Sequence, residues 1–335
     1  MATRGRCGGM VDAIDSKSIT RKGVEVRVLS PAQYCSNGGI GRHVRFRCVC
    51  RKVWEFKSPF EHMNRIIVVC GPTATGKSDH AVELAKKING EIISADSRQV
   101  YKGLDIGSGK ITKKEMRGVP HHLLDVANLR RTFSVAQYKR LADKAIQTIL
   151  KKGKVPIIVG GTGFYIDAVV YDHQLPEVPP NAILRKRLEK KSLEDLQEML
   201  QELDPERYET VDIKNPLRLI RAIEIAEALG SVPKTKRIPK YTVEWIYRDF
   251  SDDVLKQRIH DRLMKRMKGG MVKEVQNLHD HGLSWKRLES LGLEYRYVAL
   301  YLQGKLSKEE VLHQLESAIW HYAKRQRTWF KKYGK

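Results

Sequence analysis

Short apolar runs alternate along the chain with longer stretches in which apolar residues recur every three or four positions. The runs at 66–70, 91–95 and 154–159 are rich in Ile and Val and end at turn residues, which predicts buried strands. Stretches 79–88 and 134–152 have the period of amphipathic helices. Strands and helices that alternate at this spacing predict an α/β fold, with a parallel sheet and helices on both faces.

The pattern changes at a proline-rich break over residues 174–180. Residues 182–208 are charged and helical in period without strands, which predicts a small all-helical insertion. A further apolar run at 242–247 predicts a last core strand, and 252–332 is helical with breaks at glycines. The predicted domains are an N-terminal extension over 1–62, an α/β core over 63–173, a helical insertion domain over 174–212, and the core continuation with basic C-terminal helices over 213–335.

Residues 1–62 show neither the helical nor the strand period and hold four of the five cysteines. The spacing of these cysteines matches neither a disulfide framework nor a zinc site. We expect this segment to be a disordered basic extension or the product of a mis-assigned start, with Met63 as the native first residue. No apolar run is long enough to cross a bilayer and no secretory signal is evident, so we expect a cytoplasmic protein.

A phosphate-binding loop follows the first apolar run and opens the first predicted helix. Its eight residues are Gly71, Pro72, Thr73, Ala74, Thr75, Gly76, Lys77 and Ser78. A strand, a glycine loop and a helix N-terminus in this order bind phosphoryl groups through backbone N–H groups. Lys77 supplies a cation, and the Ser78 hydroxyl is a candidate ligand for Mg²⁺. The core is therefore predicted to be P-loop NTPase-like.

Asp96 comes directly after the strand at 91–95, at the edge of the sheet where ligands bind in parallel α/β folds. A carboxylate facing a phosphate loop can take a proton from a nucleophile, although helix capping or Mg²⁺ ligation would also explain it. Gln99 nearby has the amide that pairs with adenine, or it lies in a solvated turn.

The strand at 154–159 ends without the acid that usually helps to hold Mg²⁺ in phosphate-loop ATPases. It runs instead into Gly-Gly-Thr-Gly at 160–163, a second glycine loop with the Thr162 hydroxyl. Two such loops without that acid favour a diphosphate that is held and released over ATP hydrolysis.

The chain has 62 Lys and Arg against 39 Asp and Glu, a net charge of +23, and most of the excess follows residue 62. Nucleic acid is the usual partner of so basic a protein, although a merely basic surface is the alternative. Arg218 and Arg221 share a helix face and suit phosphate oxygens, or Arg221 pairs with Glu224. Residues 320–332 interleave basic and aromatic side chains, which suits RNA backbone contacts and base stacking, or the aromatic residues face the core.

Together these motifs resemble the tRNA dimethylallyltransferase family, the isopentenyl transferases that act on tRNA. The resemblance rests on segments 71–78, 94–101, 105–107 with Lys110, 119–125, 156–163, 215–224 and 323–329, in the family's order. It implies transfer of a dimethylallyl group from dimethylallyl diphosphate, with Mg²⁺, to N6 of adenosine 37 in the anticodon stem-loop of tRNAs that read codons beginning with U. A monomeric enzyme without a membrane partner is expected.

The resemblance also implies roles for individual residues. The phosphate loop would hold the prenyl diphosphate, with Lys77 and a Ser78-bound Mg²⁺ neutralising the leaving group, and Asp96 would be the base beside the flipped adenine. Thr162 would lie beside the substrate. The implied tRNA contacts are Asp96, Ser97, Arg98, Gln99, Thr162, Leu217, Arg218, Arg221, Lys324 and Arg325.

Two segments depart from the family pattern: Ser108-Gly109 replaces the usual Thr-Ala, and 291–296 replaces a commoner Gly-Tyr-Arg pattern. Three other functions stay open from the residues alone. They are prenylation of free AMP, ADP or ATP, a small-molecule kinase that uses Asp96 to activate a hydroxyl, and a non-catalytic RNA-binding protein. The basic charge and the residues at 324–329 favour tRNA over a free nucleotide.

Overall fold

The computed structural model describes residues 19–21, 24–29, 65–173, 175–234 and 238–333. The expectation for the N-terminal segment lies largely outside these residues, although two short strands are described within it. The chain divides into two compact units, one formed by Met1–Ile166 with Tyr241–Lys335 and the other by Asp167–Lys240. Among the described helices, none has the length and apolar composition needed to span a bilayer.

The first unit is built on a sheet whose strands are β1 (Ile19–Arg21), β2 (Val24–Leu29), β3 (Arg65–Cys70), β4 (Gly90–Ser94), β5 (His121–His122), β6 (Val155–Gly160) and β7 (Thr242–Asp249). Their spatial order is β1-β2-β7-β3-β6-β4-β5. The five strands from β7 to β5 are parallel, whereas β1 and β2 add an antiparallel edge beside β7. The predicted parallel α/β sheet is confirmed.

Apart from the short α2, the helices lie in the segments where the sequence predicts them. They are α1 (Lys77–Ile88), α2 (Lys113–Met116), α3 (Val135–Lys151), α4 (Gly163–Val170), α5 (Ala182–Leu188), α6 (Leu193–Leu203), α7 (Pro205–Thr210), α8 (Pro216–Leu229), α9 (Asp252–Lys268), α10 (Met271–Asp280), α11 (Trp285–Ser290), α12 (Leu293–Leu302) and α13 (Lys308–Phe330). Ser134 and Ser307 begin α3 and α13 with reciprocal capping boxes, which satisfy the first backbone donors of these long helices.

The central strands are buried on both faces, as expected when helices cover both sides of a parallel sheet. Ile67 and Val69 of β3 pack with Ala81 and Val82 of α1 on one face. On the other face lies Glu91 of β4, which is 1% exposed and bonds Lys152 just beyond α3. Burial alone would raise the pKa of Glu91, but hydrogen bonds from Lys154, His122 and Lys152 lower it to about 2.

Every secondary-structure element described in the second unit is a helix. The unit is longer than the predicted insertion at 174–212, because it starts at Asp167 and includes α8. Leu219 and Ile223 of α8 pack against Leu196 and Leu200 of α6 in one apolar cluster. From the sequence, α8 is predicted to belong to the core. Its apolar residues show that one face is buried, but not which helix packs against that face. The other domain boundaries stay predictions.

Candidate active site

A cavity of about 750 Å³ opens in the first unit beyond the carboxyl ends of β3, β6 and β4. The chain passes from β3 to β4 across the position that β6 fills later, and such a switch in strand order leaves a crevice for ligands. The predicted site residues that line the cavity are Thr73, Ala74, Thr75, Gly76, Lys77, Ser78, Asp96, Ser97, Arg98, Gln99 and Arg325. The lining contains more basic than acidic side chains, which favours an anionic ligand.

The phosphate loop has the backbone form of an anion cradle. Ala74 and Gly76 both have positive φ, 64° and 71°, so the peptide units turn successively inward. Gly71 passes so close to β7 that a Cβ there would lie 2.0 Å from the carbonyl oxygen of Arg248. The first residue of the loop must therefore be glycine.

Backbone N–H groups at the end of this loop are left for a ligand. Gly76 caps α1 without a side-chain hydrogen bond. Among the described residues, no group accepts from the N–H of Thr75, Gly76, Lys77 or Ser78. Uncapped donors at a helix N-terminus bind phosphate groups, and the helix dipole adds to the attraction.

Cationic side chains donate hydrogen bonds to the carbonyl groups of the loop. Arg258 donates from Nε to the Ala74 oxygen at 2.7 Å, and Arg248 donates to the Thr75 oxygen at 3.3 Å. Lys77 donates to the Pro72 oxygen. The C=O and N–H of a planar trans peptide point in opposite directions. When the Ala74 and Thr75 carbonyls are held by these bonds, the N–H groups of Thr75 and Gly76 therefore point away from the arginines.

Lys77 lies in a positive environment. Burial first, and the charge of Arg262 second, lower its pKa to about 7, while the charge of Asp96 opposes this shift. An anionic ligand at the loop would favour the charged amine, so binding and protonation of Lys77 are coupled.

Asp96 lies where the sequence predicts, directly after β4. Its Oδ1 accepts from the backbone N–H of Arg98 at 2.8 Å and of Gln99 at 3.3 Å, which fixes the carboxylate over the next turn. No described residue donates to Oδ2. One oxygen therefore has a structural role, and the other is available to a substrate.

The second glycine loop differs from the predicted anion cradle. A Cβ at Gly160, Gly161 or Gly163 would lie about 2.1 Å from Ala95 O, Gln326 Nε2 or Trp329 Cδ1, respectively. These glycines therefore allow close packing against β4 and α13. Because β6 lies between β3 and β4, the glycines at its end lie between the phosphate loop and Asp96. They place no side chains in that space.

Thr162 faces Ser97 and does not line the cavity. Its hydroxyl accepts from the Ser97 N–H at 3.1 Å, and its own N–H donates to Ala95 at 3.2 Å. Tyr322 lines the cavity near Thr162, and burial raises the pKa of Tyr322 to about 12. Thr162 thus lies between the Asp96 turn and α13.

Helix α9 supplies basic residues that the sequence analysis missed. Arg258, Arg262 and Arg266 recur every four positions on one face, and all three line the cavity together with Lys265. Arg262 donates to the Thr73 hydroxyl at 3.1 Å, and Arg266 donates to the Gly107 carbonyl at 3.2 Å. The spacing of these arginines is visible in the sequence. The sequence does not show that they bond the phosphate loop, because Arg262 and Thr73 are 189 positions apart.

The loop at 105–109 also lines the cavity, through Ser108 and Gly109, and is fixed by α10 and α12. Glu274 accepts from the N–H groups of Asp105, Ile106 and Gly107 at 2.7–3.2 Å, and from the Tyr295 hydroxyl at 2.8 Å. Tyr295 in turn accepts from Ser108 N at 3.1 Å. The two segments that depart from the family pattern therefore touch one another.

The C-terminal basic and aromatic residues divide between two environments. Phe330 is buried and Trp329 packs edge-on with Phe164, while Arg327 bonds Asp249. Lys324 and Arg325 are exposed, and of these two only Arg325 lines the cavity. The alternative in which these aromatic residues face the core is therefore correct for Phe330, whereas Trp329 is half-buried.

The remaining predicted contacts lie in the second unit. Leu217 is 72% exposed, and Arg218 pairs with Asp212 at 3.2 Å. Arg221 pairs with buried Glu224 and donates to the Val178 carbonyl at 2.9 Å. The Arg–Glu pairing left open by the sequence is thus present.

The chain is similar in sequence to known proteins. The family model described as IPP transferase matches residues 99–333. A tRNA dimethylallyltransferase 2 of Treponema denticola is 46% identical over 275 residues, which cover 80% of this chain and 92% of the relative. Another, from Citrifermentans bemidjiense, is 44% identical over 278 residues, with 83% and 90% covered.

Solved structures are similar as well. The full-length tRNA isopentenylpyrophosphate transferase of Bacillus halodurans is 35% identical with a TM-score of 0.59, covering 80% of this chain and 87% of that one. A eukaryotic dimethylallyltransferase acting on tRNA is 25% identical with a TM-score of 0.68, over 80% and 70% of the two chains. The matching family model and the identity to these relatives over most of the chain lead to one conclusion: the chain belongs to the IPP transferase family.

Proposed function

We propose that this protein transfers a dimethylallyl group from dimethylallyl diphosphate to N6 of adenosine 37 in tRNAs that read codons beginning with U. One observation carries the proposal. An uncapped phosphate cradle and a carboxylate with a free oxygen line the same cavity, on either side of the side-chain-free Gly160 and Gly161. The cradle suits a diphosphate, and the carboxylate suits an amine that loses a proton.

The donor diphosphate binds at the N–H groups of Thr75 to Ser78, with Lys77, Arg258 and Arg262 around it. When the bond from the allylic carbon to oxygen breaks, negative charge grows on the diphosphate. Donors already fixed in place stabilise that charge more than they stabilise the bound donor, and this difference accelerates the reaction.

Asp96 is the base in this proposal. The N6 amine forms a bond to the allylic carbon as diphosphate departs, and it releases a proton to Asp96. An exocyclic amine is a weak nucleophile, so a positioned carboxylate adds to the rate. The adenine must leave its stack to reach the cavity, and Tyr322 and Arg325 in the lining offer surfaces for an extruded base.

Mg²⁺ fits the cavity as an ion that arrives with the diphosphate. Among the described residues, no group of three acidic, His or Cys side chains could hold a metal by itself. Mg²⁺ is commonly held by one or two protein oxygens together with phosphate oxygens and water. The exposed Ser78 hydroxyl would be the protein ligand, and the ion would neutralise diphosphate charge.

The proposed tRNA contacts are Asp96, Ser97, Arg98, Gln99, Leu217, Arg218, Arg221, Lys324 and Arg325, with Thr162 in a supporting role. Ser97, Arg98, Gln99 and Arg325 line the cavity, so they can meet the nucleotides next to the target base. Thr162 supports the Ser97 backbone from behind. A cytoplasmic, monomeric enzyme acting on the anticodon stem-loop completes the proposal.

The test is prenylation of an anticodon stem-loop that has adenosines at positions 36–38, by the purified protein with dimethylallyl diphosphate and Mg²⁺. Nucleoside mass spectrometry should find N6-isopentenyladenosine at position 37, and replacing that adenosine with guanosine should abolish it. Parallel reactions with AMP and with ATP test the two alternative enzymes, one that prenylates free nucleotides and one that is a small-molecule kinase. Faster modification of free AMP, or ATP cleavage without prenyl transfer, would contradict the proposal.

A further inference from the structure

Helix α13 meets the second glycine loop along one face. Tyr322, Gln326 and Trp329, at positions i, i+4 and i+7, contact Thr162, Gly161 and Gly163 in turn. Residues with this spacing share a helix face, so the helix and the loop fit side by side. Within this face, Gln326 is the member that also reaches the phosphate loop.

The Gln326 amide joins the two glycine loops. Its Oε1 accepts from the backbone N–H of Thr73 at 2.8 Å, and its Nε2 donates to the Gly161 carbonyl at 2.9 Å. The side chain is only 6% exposed, so water cannot replace either bond at little cost. One neutral amide, with an acceptor and a donor pointing in opposite directions, pairs with the Thr73 N–H and the Gly161 C=O at once.

The contact is specific for glutamine on one side and glycine on the other. A Cβ at Gly161 would lie 2.1 Å from Gln326 Nε2, so any other residue there would displace the amide from this position. A glutamate at 326 would keep the bond from Thr73 but would face the Gly161 carbonyl with a carboxylate oxygen. Methionine has nearly the same length and makes neither bond.

We propose that Gln326 is a positioning residue that sets the shape of the donor site by holding the phosphate loop against the Gly160–Gly163 loop. It acts through the Thr73 amide, and Thr73 also receives the Arg262 hydrogen bond. Loss of the amide frees the first half of the cradle, so the donors for the diphosphate are no longer held where charge develops. The inference rests on the proposed function only for its kinetic readout.

The test compares Gln326→Met, Gln326→Glu and Gly161→Ala with the control Gln314→Met, an exposed glutamine on the same helix. For Gln326→Met we expect the KM for dimethylallyl diphosphate to rise about 10-fold and kcat to fall about 10-fold, as expected when preorganised donors are lost. The KM for tRNA should change by less than about 2-fold, and Gln326→Glu should be worse because it adds negative charge beside the diphosphate. The control should match the wild type.

Binding of inorganic pyrophosphate, measured by calorimetry, tests the inference apart from prenyl transfer. Affinity should fall about 10-fold in Gln326→Met and in Gly161→Ala, and the double variant should lose little more, because both changes break one contact. If Gln326→Met does not fold, Gly161→Ala must show the same loss. The inference would be overturned if a folded Gln326→Met or Gly161→Ala variant bound pyrophosphate as tightly as the wild type. It would also be overturned if the KM for tRNA rose as much as the KM for dimethylallyl diphosphate. Failure of the wild type to prenylate RNA would instead contradict only the proposed function.

Discussion

Arg262 donates a hydrogen bond from Nη1 to the Thr73 hydroxyl at 3.1 Å, which ties helix α9 to the phosphate loop. Burial and the neighbouring Arg266 lower the pKa of Arg262 to about 10. The surroundings of this guanidinium disfavour its positive charge, so a bound anion stabilises the charged form strongly. We therefore expect Arg262 to provide a positive charge for an anionic ligand at the phosphate loop.

Replacement of Arg262 by glutamine should lower kcat/KM for dimethylallyl diphosphate about 10–100-fold, because charge is lost where the leaving group develops it. The KM for tRNA should stay within about 2-fold of the wild type. Steady-state kinetics with each substrate varied in turn measures this split. Lys268→Gln, an exposed position on the same helix, is the control. If the two variants have equal kinetics, Arg262 has no role at the donor site.

Binding of the donor should take up a proton above neutral pH. Lys77 has a pKa of about 7 in the free protein, so most molecules carry a neutral amine at pH 8.5. The diphosphate favours the charged amine and raises that pKa, whereas the phosphate groups of the donor are already ionised at this pH. Calorimetric titration with dimethylallyl diphosphate at pH 8.5, in two buffers of different ionisation enthalpy, should detect uptake approaching one proton.

Lys77→Arg is the matched variant for that measurement, because an arginine stays charged throughout the range. Its binding should proceed with little proton uptake. Equal uptake in both proteins would show that the proton goes elsewhere.

Sequence reasoning predicts the strands, the phosphate loop and Asp96 because each depends on local chemistry. The run at 66–70 is apolar enough to be a buried strand, and β3 occupies Arg65–Cys70. Gln326 and Arg262 illustrate the limit of such reasoning. Both lie on helices whose period is readable, but their partner, Thr73, is 253 and 189 positions away in the chain. Contacts between residues so far apart in the chain depend on the order of the strands in the sheet. The pattern of apolar residues within one element does not specify that order.

Glu274 should contribute to stability as well as to the shape of the cavity. Replacement by alanine removes the acceptor for three backbone N–H groups in the loop at 105–107. We expect the free energy of unfolding to fall by about 2–3 kcal/mol in denaturant titrations. Tyr295→Phe, which removes only the hydroxyl, should cost about 1 kcal/mol. A Glu274→Ala protein as stable as the wild type would contradict this assignment.

Arg325 should affect tRNA and not the donor. It is exposed at the rim of the cavity, where a phosphate of the RNA backbone can pair with it. Arg325→Ala should raise the KM for tRNA and reduce the slope of log affinity against log salt by about 1, which corresponds to one phosphate contact. Lys308→Ala, at the far end of α13, is the control. An unchanged salt slope would remove Arg325 from the tRNA-binding surface.

The most direct test of the central claim is the single-turnover rate of Asp96→Asn with saturating tRNA and dimethylallyl diphosphate. Asparagine keeps an Oδ1 that can accept from the N–H groups of Arg98 and Gln99, so the turn should be preserved while the base is lost. The account predicts a rate lower by about 10²–10⁴-fold, with nearly normal binding of both substrates. A rate equal to that of the wild type would contradict the role of Asp96 as the base.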